Sequence, residues 1–248
     1  MDPAPPRSHL SRISTPWTLV GRAHGGAEDC AAHALRLLLQ RYCGAAYRYL
    51  RGALRDQDAA LDLLQEFVLR FLRGGFRRAD PGSGRFRDYL KTALIHLITD
   101  HYRELQAQPR QLPADINEWA IAPEKAAEND ATFLQSWREE LIDRAWAALA
   151  EFNPAYHAVL VLHVENPALP SAGAAEQLTA SLGKPFTAAH VRVTLQRARQ
   201  RFAELLLDEV AHSLGVCTES ELIQELHALR MFKLCAPALE RRSRFLTG

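Results

Sequence analysis

Four arginines, Arg192, Arg197, Arg199 and Arg201, stand within ten positions of the chain, with His190 just before them and Gln196 among them. An arginine fork can donate two parallel hydrogen bonds to a guanine edge or to a phosphate, and a glutamine amide can pair with adenine. The set therefore suits duplex DNA, through base edges and backbone. An amphipathic helix with a solvated basic face would hold the same residues, so their neighbours matter. Residues 137–215 carry a net charge of −2, which makes this one basic stretch on an acidic body.

The flanking pattern supplies a way to present these side chains. Ala174 to Leu182 reads as a short helix closed by Gly183, and a turn follows at Lys184-Pro185-Phe186. Thr187 sits where an N-cap belongs, and a second helix runs from Ala188 to Leu207, with Val191, Leu195, Ala198, Phe202 and Leu205 as its inward stripe. Two helices joined by a tight glycine-containing turn form a helix-turn-helix, whose second helix enters the major groove.

Catalytic chemistry finds no such support. The sequence has no glycine-rich phosphate loop, no G-x-S-x-G and no H-E-x-x-H. Its ten histidines are dispersed, and the nearest pair, His96 and His101, is spaced i, i+5. The four cysteines, Cys30, Cys43, Cys217 and Cys235, form no C-x-x-C pair and fit free thiols in a reducing cytosol. No catalytic residue, metal site or cofactor is expected, and no enzyme activity. No apolar run approaches the ~18 residues of a membrane span, and the start, Met1-Asp2-Pro3-Ala4-Pro5-Pro6, lacks the pattern of a signal peptide. A cytoplasmic protein without membrane insertion is the expectation. Thirty Lys and Arg against 29 Asp and Glu exclude a globally basic nucleic-acid binder but not a local basic face.

A chain of 248 residues is long enough for two domains with real cores. Ala, Leu and Arg dominate and strict alternation is nearly absent, so the predicted fold class is all-α, as two helical domains joined by a Pro-containing acidic linker. Residues 1–14 read as a mobile tail and 15–106 as the first domain. That domain has a helix from Cys30 to Leu54 and a second with Leu61, Leu64, Phe67, Val68, Phe71 and Leu72 inward. A turn over Asp80–Gly84 then leads into a third helix from near Phe86. Residues 14–106 carry a net +4. Pro109, Pro113 and Pro123 interrupt the helical repeat, which places a linker at 107–132 and a second domain at 133–215, beginning with Phe133 and Trp137. Val159–Leu162 could be a strand by itself, but it has no partner strand and reads as buried helix. Residues 216–248 form a C-terminal extension with a helical stripe at Leu222, Ile223, Leu226, Leu229 and Phe232 and a basic end, read as packing on the second domain, with a regulatory or polymerase-contacting extension as the alternative.

Together the two halves resemble an extracytoplasmic-function sigma factor, the promoter-recognition subunit of bacterial RNA polymerase. The first half is similar to sigma region 2 at Thr15-Pro16-Trp17-Thr18-Leu19-Val20, at Asp62-Leu63-Leu64-Gln65-Glu66-Phe67-Val68-Leu69-Arg70 and most of all at Gly84-Arg85-Phe86-Arg87-Asp88-Tyr89-Leu90-Lys91-Thr92-Ala93-Leu94, with His96 and Asp100 beyond. The second resembles region 4, with Leu182-Gly183 before the turn and Val191, Leu195, Gln196, Arg197, Ala198 and Arg199 after it.

The resemblance implies a division of labour. The Asp62–Arg70 helix would dock on the clamp helices of the largest polymerase subunit through Asp62, Gln65, Glu66 and Arg70. The third helix would hold the melted −10 element through Arg77, Arg78, Arg85, Arg87, Lys91 and His96, with Phe86, Tyr89 and Tyr102 also available for stacking. His190, Arg192, Gln196, Arg197 and Arg199 would read the −35 duplex. Core polymerase and promoter DNA are the implied partners, and a regulatory protein, either an anti-sigma factor or a Ser/Thr kinase, is admitted.

Two departures qualify the resemblance. The docking helix reads Ala59-Ala60-Leu61-Asp62 where the family has D-A-E-D, so two carboxylates are missing, with Asp56 and Asp58 one turn earlier as partial substitutes. No Ser or Thr lies between Thr18 and Ser83, so phosphorylation within that helix is impossible. The Lys184-Pro185-Phe186 turn is also longer than usual, and its proline favours an extended residue before it. A DNA-binding regulator that does not join polymerase, and a helical interaction module that has lost promoter binding, remain as alternatives.

Overall fold

In the computed structural model, helix is the only regular structure among the described residues, 28–73, 85–107, 123–214 and 217–246. In chain order the helices are α1 (Glu28–Leu54), α2 (Gln57–Leu72), α3 (Phe86–Ala107), α4 (Pro123–Phe152), α5 (Pro154–Glu165), α6 (Ser171–Leu182), α7 (Ala188–Leu214), α8 (Glu219–Ala228) and α9 (Phe232–Leu246). The 1–14 tail, the Thr15–Val20 opening, the Asp80–Gly84 turn, and Pro109 and Pro113 lie outside the described residues. No helix among the described residues is long and apolar enough to cross a membrane, and no group of three His, Cys, Asp or Glu among them could hold a metal ion.

Two compact units divide the chain: residues up to 140 with 211–219, and 141–210 with 220 onward. In the first, α1, α2 and α3 pack together. Tyr42, Ala46, Tyr49 and Leu50 from α1 meet Ala60, Leu63, Phe67 and Phe71 from α2 and Leu90, Leu94 and Leu97 from α3, all buried. The α1–α2 joint is only two residues. Arg55 is left-handed at φ 54°, and Asp56 caps α2, its Oδ1 accepting from the N–H groups of Asp58 (2.9 Å) and Ala59 (3.1 Å).

The inward stripe of α2 is Ala60, Leu63, Phe67 and Phe71, at i, i+3, i+7 and i+11. Leu61, expected inside, is instead 39% exposed. The large Phe67 and Phe71 rings set the rotation of the helix, and Leu63 then points inward in place of Leu61.

The boundary between the units also differs from the sequence expectation. The segment read as linker is helical from Pro123, which stands at the head of α4. Its missing N–H costs nothing in the first turn, where that donor has no intrahelical acceptor. Phe133 and Trp137, read as the start of the second domain, are 1% exposed in the core of the first unit. Trp137 stacks on Tyr42 (centroids 5.2 Å, interplanar 9°), and Phe133 meets Tyr49 edge-on at 5.4 Å. One turn on, Glu140 accepts from Arg48 at 2.8 Å. A Cβ at Gly44 would collide with that Glu140 carboxylate, so a glycine lets it approach α1.

In the second unit Asn153 caps α5 by accepting from Ala155 N–H (2.9 Å) and Tyr156 N–H (3.2 Å), and Pro154 opens the helix. Val159–Leu162 is accordingly helical, with Val159 and Leu160 buried. The C-terminal extension belongs to this unit from residue 220. It forms two helices broken at left-handed Arg230 (φ 55°), buries Leu222, Leu226, Leu229, Met231 and Cys235, and is tied to α7 by Arg242–Asp208 (3.2 Å) and Arg241–Glu204 (3.4 Å).

Candidate nucleic-acid interface

The helix pair α6–α7 forms as its residue types require. Gly183 ends α6 at φ 64°, a left-handed C-cap that a side chain would strain. The turn is held by Phe186 N–H donating to Thr179 Oγ1 at 2.9 Å. Thr187 Oγ1 then accepts from His190 N–H at 3.2 Å, capping α7. Val159, Ala174, Ala175, Leu178 and Val191 form the buried cluster under the pair, with Phe186 and Leu195 against it.

On α7, Val191, Thr194, Ala198 and Phe202 point inward, while Arg192, Val193, Gln196, Arg197, Arg199 and Gln200 are exposed. Arg192, Gln196 and Arg199 make one row at i, i+4 and i+7, and Val193, Arg197 and Gln200 make the row beside it. His190 stacks flat on Phe186 (4.6 Å, 10°), which fixes its ring at the turn. The Arg199 guanidinium bonds the His163 ring of α5. Arg201 turns away from this surface: it lies 4.2 Å over the Phe152 ring and pairs with Glu204 at 3.2 Å. Val193, 47% exposed between two arginines, has the chemistry for a thymine methyl. An apolar residue beside the inward stripe looks like core in the sequence, so this one was missed.

The expected −10 face on α3 is only partly open. Arg77 and Arg78 lie outside the described residues. Arg87 is buried, 9% exposed, with Nε 3.8 Å from Asp88 Oδ1. It therefore does not lie on an open basic face as the sequence reading required, because its position on α3 turns it toward the interior beside Phe86. Phe86 is itself core, against Tyr42 at 4.7 Å, and Tyr102 is 9% exposed. Lys91 Nζ donates to Asp130 Oδ1 of α4 at 2.7 Å. What remains outward is a helical row of half-buried Arg85 and Tyr89 and exposed Thr92 and His96. Burial raises the Tyr89 phenol pKa, so that hydroxyl stays protonated.

On α2, Asp62 and Gln65 are exposed beside Leu61 and Leu69, the latter 42% exposed, so the outward face mixes acid with apolar surface. Glu66 accepts from Arg70 Nε at 2.8 Å, and Arg70 Nη1 reaches Asp100 Oδ2 of α3 at 3.4 Å. These contacts raise the Arg70 pKa, the Glu66 hydrogen bond most. Arg70 thus braces α2 against α3. Asp56, offered as a substitute carboxylate, is occupied as the α2 N-cap.

Residues 37–108 match the family model for Sigma-70 region 2, a stretch that takes in most of α1 and all of α2 and α3. No curated protein and no solved structure matches the chain.

Proposed function

We propose that the chain is a sigma factor of extracytoplasmic-function type that binds bacterial core RNA polymerase and directs it to a set of promoters. The observation that carries this reading is the Sigma-70 region 2 match on α1–α3, followed later in the chain by the capped helix pair α6–α7 with its arginine-rich second helix. Sigma-70 proteins are initiation factors and not enzymes, in keeping with this division of parts.

In this reading α2 meets the polymerase clamp helices through Asp62 and Gln65, with Leu61 and Leu69 adding apolar contact. Glu66 and Arg70 hold that surface in place from beside it. At the start of α3 and along it, Arg85 and Lys91 pair with phosphates, Lys91 exchanging Asp130 for one of them, while Tyr89 and His96 stack on unpaired bases. Arg77 and Arg78 are assigned to the same strand. On α7, Arg192, Gln196 and Arg197 read base edges, Val193 a thymine methyl, and His190 and Arg199 the flanking phosphates. An anti-sigma factor or kinase would act on this machinery from outside.

The test is holoenzyme formation: full-length chain and bacterial core polymerase on gel filtration at moderate salt, with Asp62→Arg beside it. Co-elution abolished by the substitution is the expected result. Failure to co-elute would overturn the sigma reading in favour of a DNA-binding regulator that acts apart from polymerase.

A further inference from the structure

The second unit contains a cavity that the proposed promoter and polymerase contacts leave unused except at Arg199, which borders it. It lies among α4, α5, α7 and α9 and has a volume of about 510 Å³, within the range of small-molecule sites. Trp146, Leu160 and Phe202 form its wall, and Val164 and Leu234 line it while remaining 59% and 46% exposed. Apolar side chains of that size held together at a surface are a feature that a bound partner explains.

The charged groups in its lining are all of one sign. Arg199, Lys233 and Arg241 border the cavity, with His163 beside Arg199, and no Asp or Glu lines it. Arg241 has Glu204 at 3.4 Å and Arg199 has the His163 ring, whereas Lys233 is exposed and makes no ion pair among the described residues. Apolar walls favour a hydrocarbon body, and a cationic border without acid favours an anionic end over a neutral or cationic one. We propose that this cavity binds a medium-chain acyl carboxylate. The tail, about ten carbons for a site of this size, lies among Trp146, Leu160 and Phe202. The carboxylate sits at Lys233 and Arg199. Leu234 and Val164 cover the chain where it leaves the protein.

The test titrates decanoate into the full-length chain, below its aggregation concentration, by calorimetry and by the tryptophan fluorescence change that Trp146→Phe removes. Decanol and decylamine serve as headgroup controls on the unaltered protein. Saturable one-to-one decanoate binding is expected, about tenfold or more tighter than decanol, since a hydrogen-bonded charge pair is worth at least that factor. Leu234→Glu and Lys233→Glu, both at exposed positions, should each weaken decanoate about tenfold, and Leu37→Glu at an exposed position of α1 should leave it unchanged. No saturable binding, decanol binding as tightly as decanoate, or wild-type affinity in Leu234→Glu would each overturn the assignment.

Discussion

Trp137 decides where the first unit ends. It is 1% exposed, stacked on Tyr42 at 5.2 Å and near-parallel to Phe133 at 6.4 Å. Trp137→Ala removes the ring, both aromatic contacts and the volume they fill, and a buried Trp→Ala change costs about 3–5 kcal/mol. Against a domain stability of about 5–15 kcal/mol that is a large share. Trp137→Phe should behave differently. The smaller ring keeps the stack but leaves a void costing on the order of 1 kcal/mol. It also removes an indole N–H that has no hydrogen-bond partner among the described residues, a penalty of about 1–3 kcal/mol. The two effects offset, so the Phe variant should lie within about 1–2 kcal/mol of wild type. Urea unfolding of the full chain, followed by near- and far-UV circular dichroism, measures both. A loss below about 1 kcal/mol in Trp137→Ala would refute the packing of α4 on α1 and return the boundary to residue 133.

Arg192→Ala should weaken binding to a −35 duplex by about 1–3 kcal/mol if its contact is bidentate, and unchanged affinity in a filter or anisotropy titration would reject that role. Val193→Ala should cost less, with the loss confined to sites bearing a thymine methyl. Arg230→Gly should raise the melting temperature, because it relieves a left-handed residue at φ 55° whose strain is about 1–2 kcal/mol, partly offset by the flexibility of glycine in the unfolded chain. Alkaline pH should destabilise the fold. Burial pushes the Cys43 and Cys235 thiols from 9.0 up to about 11, and burial with the Asp130 carboxylate pushes Tyr49 from 10.0 to about 12. Between the unfolded and folded values the native state holds more protons than the unfolded one, so stability falls as pH rises from about 9 to 12. Denaturant midpoints should drop across that window, less steeply in Cys235→Ala.

The helix pair α6–α7 was legible because its signals are local. Gly183 supplies a left-handed residue, Thr187 a cap oxygen three residues from its donor, and Val191 and Ala198 a 3.6-residue period. Those properties belong to the chain before it folds. The helical reading of Val159–Leu162 was likewise available, since the sequence offers that run no partner strand.

The boundary was not legible in the same way. Periodicity says that Phe133 and Trp137 are buried, but not which aromatic rings bury them, and only Tyr42 and Tyr49, some ninety residues away in the sequence, settle it. Pro123 has one identity and two meanings, a breaker inside a helix and a starter at its first turn, and the difference lies in the chain around it. Arg87 and Leu61 show the same limit at single positions. Residue type alone put one outside and the other inside, and helix rotation against neighbouring helices reversed both. Sequence by itself determined the all-helical class, the caps of the α6–α7 pair and the basic row on α7. Tertiary packing decided which charges stay open to a partner, because burial is a property of what lies opposite a side chain, and that partner is remote in the sequence.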